Sequence, residues 1–291
     1  MSAPEHYWLE HRRYLEAGRL RWHAETADED FWLDYWRQRL DSRYFRDAER
    51  HDLRSDELGR ILLRELLPDG RHLEAGCGAG YWVAALRALG YAIEGIEYSE
   101  SLVALVNRTY PALSVRYGDA RAIDCPDASY DTYLSFGVVE HSPDGPEAYL
   151  AEAYRVLVPG GKIVITVPHL GRLRGMNARL GRYESRRPAL PFFQFGFSAG
   201  EFSSMLSRVG FEIDETRPIQ LHRLLMEESR LYRSLARARG FRFVVGLSRR
   251  LYGGRDGHML LAVGHKPPAG RAVEIGSNTC SGDPGVSATG E

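Results

Sequence analysis

The strongest indication of the fold class is the stretch Leu73-Glu74-Ala75-Gly76-Cys77-Gly78-Ala79-Gly80. An apolar segment, Arg71–Ala75, predicts a strand that runs directly into this glycine-rich turn, and a helix is predicted near 81–89. At such a crossing a ligand lies against the backbone itself, and glycine leaves the room for it. The stretch therefore predicts a ligand site at the carboxyl edge of a parallel sheet.

The turn differs from a dinucleotide-binding fingerprint in two respects. Tyr81 stands where that fingerprint needs a third small residue. Glu74 places a carboxylate at the end of the strand, where it would repel a pyrophosphate and attract an amine. A ligand that carries a cation is therefore favoured over a dinucleotide, and a nicotinamide-dependent oxidoreductase is the weaker interpretation.

Short apolar strands alternate with helical segments on both sides of this turn. This rhythm predicts an α/β fold with a doubly wound, mostly parallel sheet. The predicted strands are 71–75, 92–97, 114–117, 130–136, 162–167, 211–215 and 257–264, and the predicted helices are 55–67, 81–89, 99–108, 146–156 and 198–209. In the last helix, Ser198 and Glu201 form a capping-box pattern.

Polar residues follow three further strands, where the edge of a parallel sheet would bring them together. Glu97 ends the second strand, and its carboxylate can accept hydrogen bonds from both hydroxyls of a ribose. Asp119, in Gly118-Asp119-Ala120, suits the exocyclic amine of adenine. The fourth strand ends in Ser135-Phe136-Gly137, followed shortly by Glu140-His141.

These motifs together resemble the class I S-adenosylmethionine-dependent methyltransferases, especially the methyltransferase type 11 family. The resemblance covers about 55–216 and includes the Glu74-to-Gly80 turn, Glu97, Asp119, and Arg155-Val156-Leu157-Val158-Pro159-Gly160-Gly161. It implies a Rossmann-like, seven-stranded sheet and S-adenosyl-L-methionine as cofactor.

The resemblance also implies which residues hold the cofactor. The three glycines of the turn would approach its methionine part, and Glu74 would hold its ammonium directly or through water. The cofactor-binding residues predicted in this way are Glu74, Ala75, Gly76, Cys77, Gly78, Gly80, Glu97, Tyr98, Asp119, Ala120, Ser135, Phe136 and Gly137.

His141 is the candidate catalytic residue, because a histidine with a near-neutral pKa can take a proton as the methyl group arrives. His169 is a weaker second candidate. Many enzymes of this kind need no base, since the sulfonium methyl is already activated and positioning supplies most of the rate. The Glu-x-x-Glu-His motif of metal-dependent relatives is half absent, because Gly137 occupies its first position. No metal is expected.

Three regions are predicted along the chain. They are a helical, aromatic N-terminal cap at 1–54, a methyltransferase domain at 55–266 with substrate-side insertions at 170–197 and 217–252, and a disordered tail at 267–291. The face formed by Phe31, Trp32, Tyr35 and Trp36 either packs on the main domain, covers a ligand pocket, or contacts a second subunit.

Arginine dominates the region 170–250, which holds sixteen basic and seven acidic residues in a chain of net charge −1. Six arginines in 172–187 allow an acidic acceptor, a membrane surface or a plain solvated face as interpretations. Phenylalanines at 192, 193, 195 and 197 would supply apolar walls.

Composition limits the class of protein. The apolar runs are too short to span a membrane, and the N-terminal residues carry no secretory pattern. Three scattered cysteines exclude a disulfide framework, so we expect a cytoplasmic, reduced protein. The balanced charge argues against strong nucleic-acid binding.

The expected function is transfer of a methyl group from S-adenosylmethionine to O, N or C of a small or medium-sized molecule. A cofactor-binding protein without transfer activity and an RNA methyltransferase are the alternatives. The acceptor and the oligomeric state stay open.

Overall fold

A computed structural model of the chain describes residues 11–24, 28–41, 43–236, 245–248, 250 and 253–269. Most of the expected tail, 270–291, lies outside these residues, as do 1–10 of the expected cap and 237–244 of the arginine-rich region.

The described residues form the following helices and strands, numbered in chain order. The strands are β1 (Arg12–Glu16), β2 (Arg19–His23), β3 (Arg71–Ala75), β4 (Ala92–Glu97), β5 (Val115–Tyr117), β6 (Tyr130–Phe136), β7 (Leu157–Pro168), β8 (Phe192–Gly196), β9 (Glu212–Ile219) and β10 (Met259–His265). The helices are α1 (Glu29–Arg37), α2 (Tyr44–Glu49), α3 (Glu57–Glu65), α4 (Tyr81–Ala88), α5 (Glu100–Thr109), α6 (Glu147–Val156), α7 (Arg172–Arg179), α8 (Ala199–Val209), α9 (Leu221–Glu228) and α10 (Arg230–Ala236).

The central sheet has seven strands in the order β5-β4-β3-β6-β7-β10-β9. The first five are parallel to their neighbours, and β10 runs antiparallel to both β7 and β9. The strand order reverses between β3 and β6, which opens a crevice at the carboxyl ends of the central strands. The predicted doubly wound, mostly parallel α/β fold is confirmed.

Two apolar clusters cover the faces of this sheet. One is built from α2, α3, α4 and α5, with the fully buried Leu62 and Leu86 among its members. The other is built around α6 and α8 and includes Phe202 and Leu206. No helix among the described residues is long and apolar enough to cross a membrane.

Local signals explain where several helices begin and end. The Ser99 side chain accepts a hydrogen bond from the Leu102 N–H and begins α5. Ser198 caps α8 in the same way, and Gly210 ends that helix with φ +115°. The carboxylate of Glu201, expected to close a capping box with Ser198, instead accepts a hydrogen bond from Arg19 of β2.

The expectation of a helical N-terminal region is wrong for residues 12–23. They form a hairpin, β1–β2, that turns at Ala17 and Gly18, both with positive φ. The alternation along β2 explains this, because Leu20 and Trp22 are buried while Arg19 and Arg21, which alternate with them, are only partly buried. α1 and α2 then supply the helical part of the cap.

The segment 170–197, which showed no sequence periodicity, contains α7 and β8. β8 pairs antiparallel with β2, so that the hairpin and this segment share one three-stranded sheet. Residues 159–161, expected as a turn before the fifth strand of the main sheet, lie within β7, where its register with β6 shifts.

Candidate active site

The first cavity, of about 410 Å³, lies at the carboxyl ends of β3, β4 and β6 and beside the residues that follow β5. The structure brings nine of the predicted site residues together around it. They are Gly76, Gly78, Glu97, Tyr98, Asp119, Ala120, Phe136, Gly137 and His141. They come from four separate strand ends, as the parallel topology requires.

The glycine-rich turn leaves no room for side chains. Gly76 and Gly78 have φ of +73° and +55°. A β-carbon at Gly76 would lie 2.6 Å from the side chain of Val138, and one at Gly78 would lie 2.4 Å from the indole of Trp36. Because left-handed backbone and this crowding both demand glycine, the turn presents bare backbone to the cavity.

Glu97 combines a structural bond with spare hydrogen-bonding capacity. One carboxylate oxygen accepts the Gly78 N–H at 2.9 Å and the other accepts the Ser99 N–H at 3.0 Å. Burial raises the pKa of this carboxyl, and these backbone hydrogen bonds oppose the shift. Each oxygen keeps a further lone pair, which is what two ribose hydroxyls need.

Five predicted residues lie behind the cavity wall rather than in it. Ala75 is buried in β3, and the Cys77 side chain packs against Gly95. Gly80 begins α4 in the left-handed region with φ +78°. Ser135 is buried in β6, and its hydroxyl has no hydrogen-bond partner. The fifth is Glu74, whose side chain is ionisable.

Glu74 is an incompletely satisfied buried carboxyl. It is 3% exposed, and its Oε2 has no hydrogen-bond partner. Burial raises its pKa to about 8. A cationic group of a ligand would supply the missing charge, which fits the ammonium of S-adenosylmethionine.

The Asp119 carboxylate already forms an ion pair with Arg121. Its carboxylate receives two side-chain hydrogen bonds from Arg121 Nε and Nη2, at 3.0 and 2.7 Å to separate oxygens. The Arg121 bonds lower the pKa of Asp119, so it is ionised and can still accept a hydrogen bond from an adenine amine. Arg121 and Tyr149, which sequence reasoning missed, line the same end of the cavity.

A second cavity, of about 460 Å³, adjoins the first. Both cavities are lined by Phe136 and Gly137 at the end of β6, by His141, and by Trp32 and Trp36 of α1. Phe193 and Gln194 of β8, together with Gln220, Arg223 and His258, form its outer wall. Sequence reasoning found the aromatic face of α1 but not this junction.

His141 is held rigidly at the junction. Its Nδ1 lies 2.9 Å from the Phe193 carbonyl oxygen, which can only accept, so Nδ1 carries the proton and Nε2 the lone pair. Burial lowers its pKa to about 4. The near-neutral pKa assumed from sequence is therefore not found, and His141 is neutral at physiological pH. The ring of His169, the weaker candidate, lies near Asp256 and lines neither cavity.

Glu140 lies on the same short turn after β6, and its role was not recognised from the sequence. Its carboxyl is buried and lines the second cavity, and Oε2 has no hydrogen-bond partner. A β-carbon at Gly137 would lie 3.4 Å from Oε1, which places this carboxyl at the junction. Burial raises the pKa of Glu140 to about 8.

The six arginines of 172–187 line neither of these cavities. Arg174 is fully buried and paired with Glu227 and Glu228, and the other five are exposed. These arginines were the reason to expect an acidic acceptor, and they do not line the second cavity. Within the described part of the chain, no group of three or more His, Cys, Asp or Glu side chains is arranged to hold a metal ion.

The sheet order and the strand-end cavity define a class I S-adenosylmethionine-dependent methyltransferase fold, whose cofactor is S-adenosyl-L-methionine. A family model described as a methyltransferase domain matches residues 43–216, and the chain belongs to this family. The resemblance inferred from the sequence is thus confirmed.

Curated relatives agree with this assignment. A probable S-adenosylmethionine-dependent methyltransferase of Mycolicibacterium smegmatis is 33% identical over 144 residues, which are 50% of this chain and 52% of the relative. A malonyl-[acyl-carrier protein] O-methyltransferase of Serratia marcescens is 33% identical over 107 residues, covering 37% and 42%. A phosphatidylethanolamine N-methyltransferase of Cereibacter sphaeroides is 32% identical over 126 residues, covering 40% and 61%. The chain spans about half the length of the first of these relatives.

Solved structures show the same fold. A methyltransferase from Haloferax volcanii, solved with the Trm112 methyltransferase activator, has a TM-score of 0.53 at 21% identity, covering 82% of this chain and 98% of that one. A methyltransferase from Methanosarcina mazei has a TM-score of 0.52 at 18% identity, covering 72% and 97%.

Proposed function

We propose that this protein transfers the methyl group of S-adenosylmethionine, bound in the first cavity, to a small or medium-sized acceptor in the second. The observation that carries the proposal is the shared wall. Phe136, Gly137 and His141 border both cavities, so a methyl donor and an acceptor meet there. Holding two reactants in line supplies a large part of the rate in such a displacement.

The protein's own residues hold the cofactor by complementary charge and hydrogen bonding. Glu74 would take the ammonium, Glu97 the ribose hydroxyls, and Asp119 the adenine amine. The bound cofactor supplies an activated sulfonium methyl. The indole of Trp36, which lies on Gly78, covers the turn and keeps water from that side.

His141 has a defined role in this proposal. Its neutral ring, oriented by the Phe193 carbonyl, offers Nε2 as an acceptor for an O–H or N–H of the substrate. A pKa of about 4 makes the ring a weak base. It therefore orients the acceptor more than it stores a proton.

The cap and the two insertions are proposed to be the substrate-binding side. α1 supplies Phe31, Trp32 and Tyr35 to the second cavity, while β8 and α9 supply its opposite wall. The relatives named above include one O- and one N-methyltransferase, so they leave the acceptor atom open. A cytoplasmic location stays a prediction of the sequence.

The test is turnover with methyl-labelled S-adenosylmethionine against separate pools of small amines, alcohols, carboxylates, phospholipid and bulk RNA. We expect labelled product in a small-molecule pool. His141→Gln should lower turnover about tenfold while S-adenosylhomocysteine affinity stays within about twofold, since one oriented hydrogen bond is lost. His265→Gln, a change at the end of β10 that lines neither cavity, is the control.

Other outcomes identify the alternatives. Stabilisation by S-adenosylhomocysteine with no product from any pool would indicate a binding protein without transfer activity. Product from RNA alone, with binding that weakens steeply as salt rises, would indicate an RNA methyltransferase.

A further inference from the structure

The Glu140 carboxyl is buried and incompletely hydrogen-bonded, and methyl transfer by positioning alone does not require such a group. It is 2% exposed, it lines the second cavity, and Oε2 has no hydrogen-bond partner. A buried carboxyl without a partner costs stability, and a ligand that supplies the partner recovers that cost. Its position beside Gly137 puts it where the acceptor would meet the methyl group.

The other ionisable side chains that line this cavity are already compensated or neutral. Glu57 accepts hydrogen bonds from Arg217 and from the Gln220 N–H. Asp56 caps α3 and faces His51, while Arg223 faces Glu227. Burial lowers the pKa values of His141 and His258 to about 4, so both rings are neutral. Tyr35 completes the set of titratable groups that line the cavity.

Aromatic side chains form a large part of the wall of the second cavity, beside the aliphatic Leu58, Ile219 and Met259. The aromatic residues are Phe31, Trp32, Tyr35, Trp36, Trp82, Phe136 and Phe193. Aromatic faces attract cations through their quadrupole, and more strongly where water is excluded. An uncompensated carboxyl inside an aromatic cavity matches a small organic cation with an apolar body.

We infer that the acceptor is a primary or secondary amine, which enters as its ammonium and pairs with the Glu140 carboxylate. This inference rests on the function proposed above and names its substrate class. Glu140 then takes a proton from the ammonium, which frees the nitrogen lone pair. The nitrogen forms a bond to the methyl carbon as the carbon–sulfur bond breaks, and the sulfur keeps that electron pair. The product ammonium and S-adenosylhomocysteine leave, and Glu140 releases its proton to water, which restores the carboxylate.

The acidity of Glu140 suits this exchange. Burial raises its pKa to about 8, close to that of an alkyl ammonium at about 10. A carboxylate of ordinary pKa would be too weak a base to deprotonate the amine.

The experiment uses two series of probe molecules, one aromatic and one aliphatic. Each series contains an amine, an alcohol and a carboxylate. They are phenethylamine, phenethyl alcohol and hydrocinnamate, and butylamine, butanol and valerate. Each probe is tested for a shift of the unfolding midpoint with saturating S-adenosylhomocysteine, and separately for S-adenosylhomocysteine formation from S-adenosylmethionine. The proteins are the wild type, Glu140→Gln, and Glu147→Gln, which removes an exposed carboxyl at the first residue of α6.

Wild type and Glu147→Gln should be stabilised and methylate the amines. Glu140→Gln should keep its stabilisation by S-adenosylhomocysteine, lose the amine shift, and lose at least tenfold in kcat/KM, as expected for one charge-assisted bond. In the wild type kcat/KM should rise through about pH 8, whereas in Glu140→Gln the rise should move to the pKa of the amine, near 10. If Glu140 had a purely structural role, its substitution would not change the pH at which kcat/KM rises.

The outcomes separate the two proposals. Methylation of the alcohols or carboxylates but not of the amines overturns the amine inference and leaves the methyltransferase function standing. An amine shift that depends on Glu140 without S-adenosylhomocysteine formation from any probe overturns the methyltransferase function instead. No amine shift in any protein, or an equal shift in wild type and Glu140→Gln, overturns the amine inference.

Discussion

Glu97 has two roles: it holds the backbone of the glycine-rich turn in place, and it is proposed to bind the ribose. Its two oxygens hold the N–H groups of Gly78 and Ser99, which fixes the glycine-rich turn against the start of α5. Glu97 also lines the first cavity. Loss of the carboxylate would therefore remove the proposed ribose hydrogen bonds and loosen the turn together.

We predict that Glu97→Ala weakens S-adenosylhomocysteine binding by about 1–3 kcal/mol, the range for lost hydrogen bonds to a buried group. Isothermal titration measures this directly. Glu94→Ala is the matched control on the same strand, because Glu94 pairs with Arg116 away from the cavity. Equal affinities for wild type and Glu97→Ala would place the ribose elsewhere.

Among the helices and strands, buried ion pairs connect the N-terminal hairpin to α7 and α9. Arg174 of α7 is fully buried; its guanidinium bonds to Glu227 and Glu228 of α9 and lies 5.1 Å from the ring centre of Trp22 in β2. Arg13 of β1 also pairs with Glu228. This cluster holds the hairpin, α7 and α9 together behind the second cavity.

Arg174→Ala should destabilise the protein by about 3–5 kcal/mol, because it removes one partner from two buried ion pairs, those with Glu227 and Glu228. Urea unfolding gives the free energy of unfolding for each variant. Arg172→Ala, an exposed arginine two residues earlier, should change it by less than about 0.5 kcal/mol. Similar effects of the two substitutions would show that the cluster is not a structural anchor.

For the whole molecule, burial of ionisable groups sets how stability depends on pH. Burial lowers the pKa values of His11, His141 and His258 to about 4, so their contribution is complete above pH 6.5 and is lost as pH falls. Burial raises those of Glu74 and Glu140 to about 8, so their contribution is complete below pH 4.5 and is lost as pH rises. Between pH 4.5 and 6.5 the three histidines change the stability more than the two carboxyls do, so the stability rises with pH in this range.

The ligand-free protein should therefore be most stable near pH 6.5 and lose stability between pH 6.5 and 8. Urea unfolding at half-unit steps of pH would show this. The double substitution Glu74→Gln and Glu140→Gln should flatten the alkaline side of the profile. It should also steepen the loss of stability between pH 6.5 and 4.5, because the two carboxyls no longer oppose the histidines there. A wild-type stability that is constant or rises between pH 6.5 and 8 would contradict the assignment.

The central sheet, the glycine-rich turn and the acids at the strand ends could all be predicted from the sequence. They depend on local patterns and on the rule that parallel strands end at one edge, so Gly76, Glu97 and Asp119 could be placed together. Three features could be seen only in the folded chain: residues 12–23 form a hairpin, Trp36 lies on Gly78, and Glu140 lines a second cavity. Those features arise from contacts between residues far apart in the chain, where burial and missing partners, rather than periodicity, assign each side chain its role.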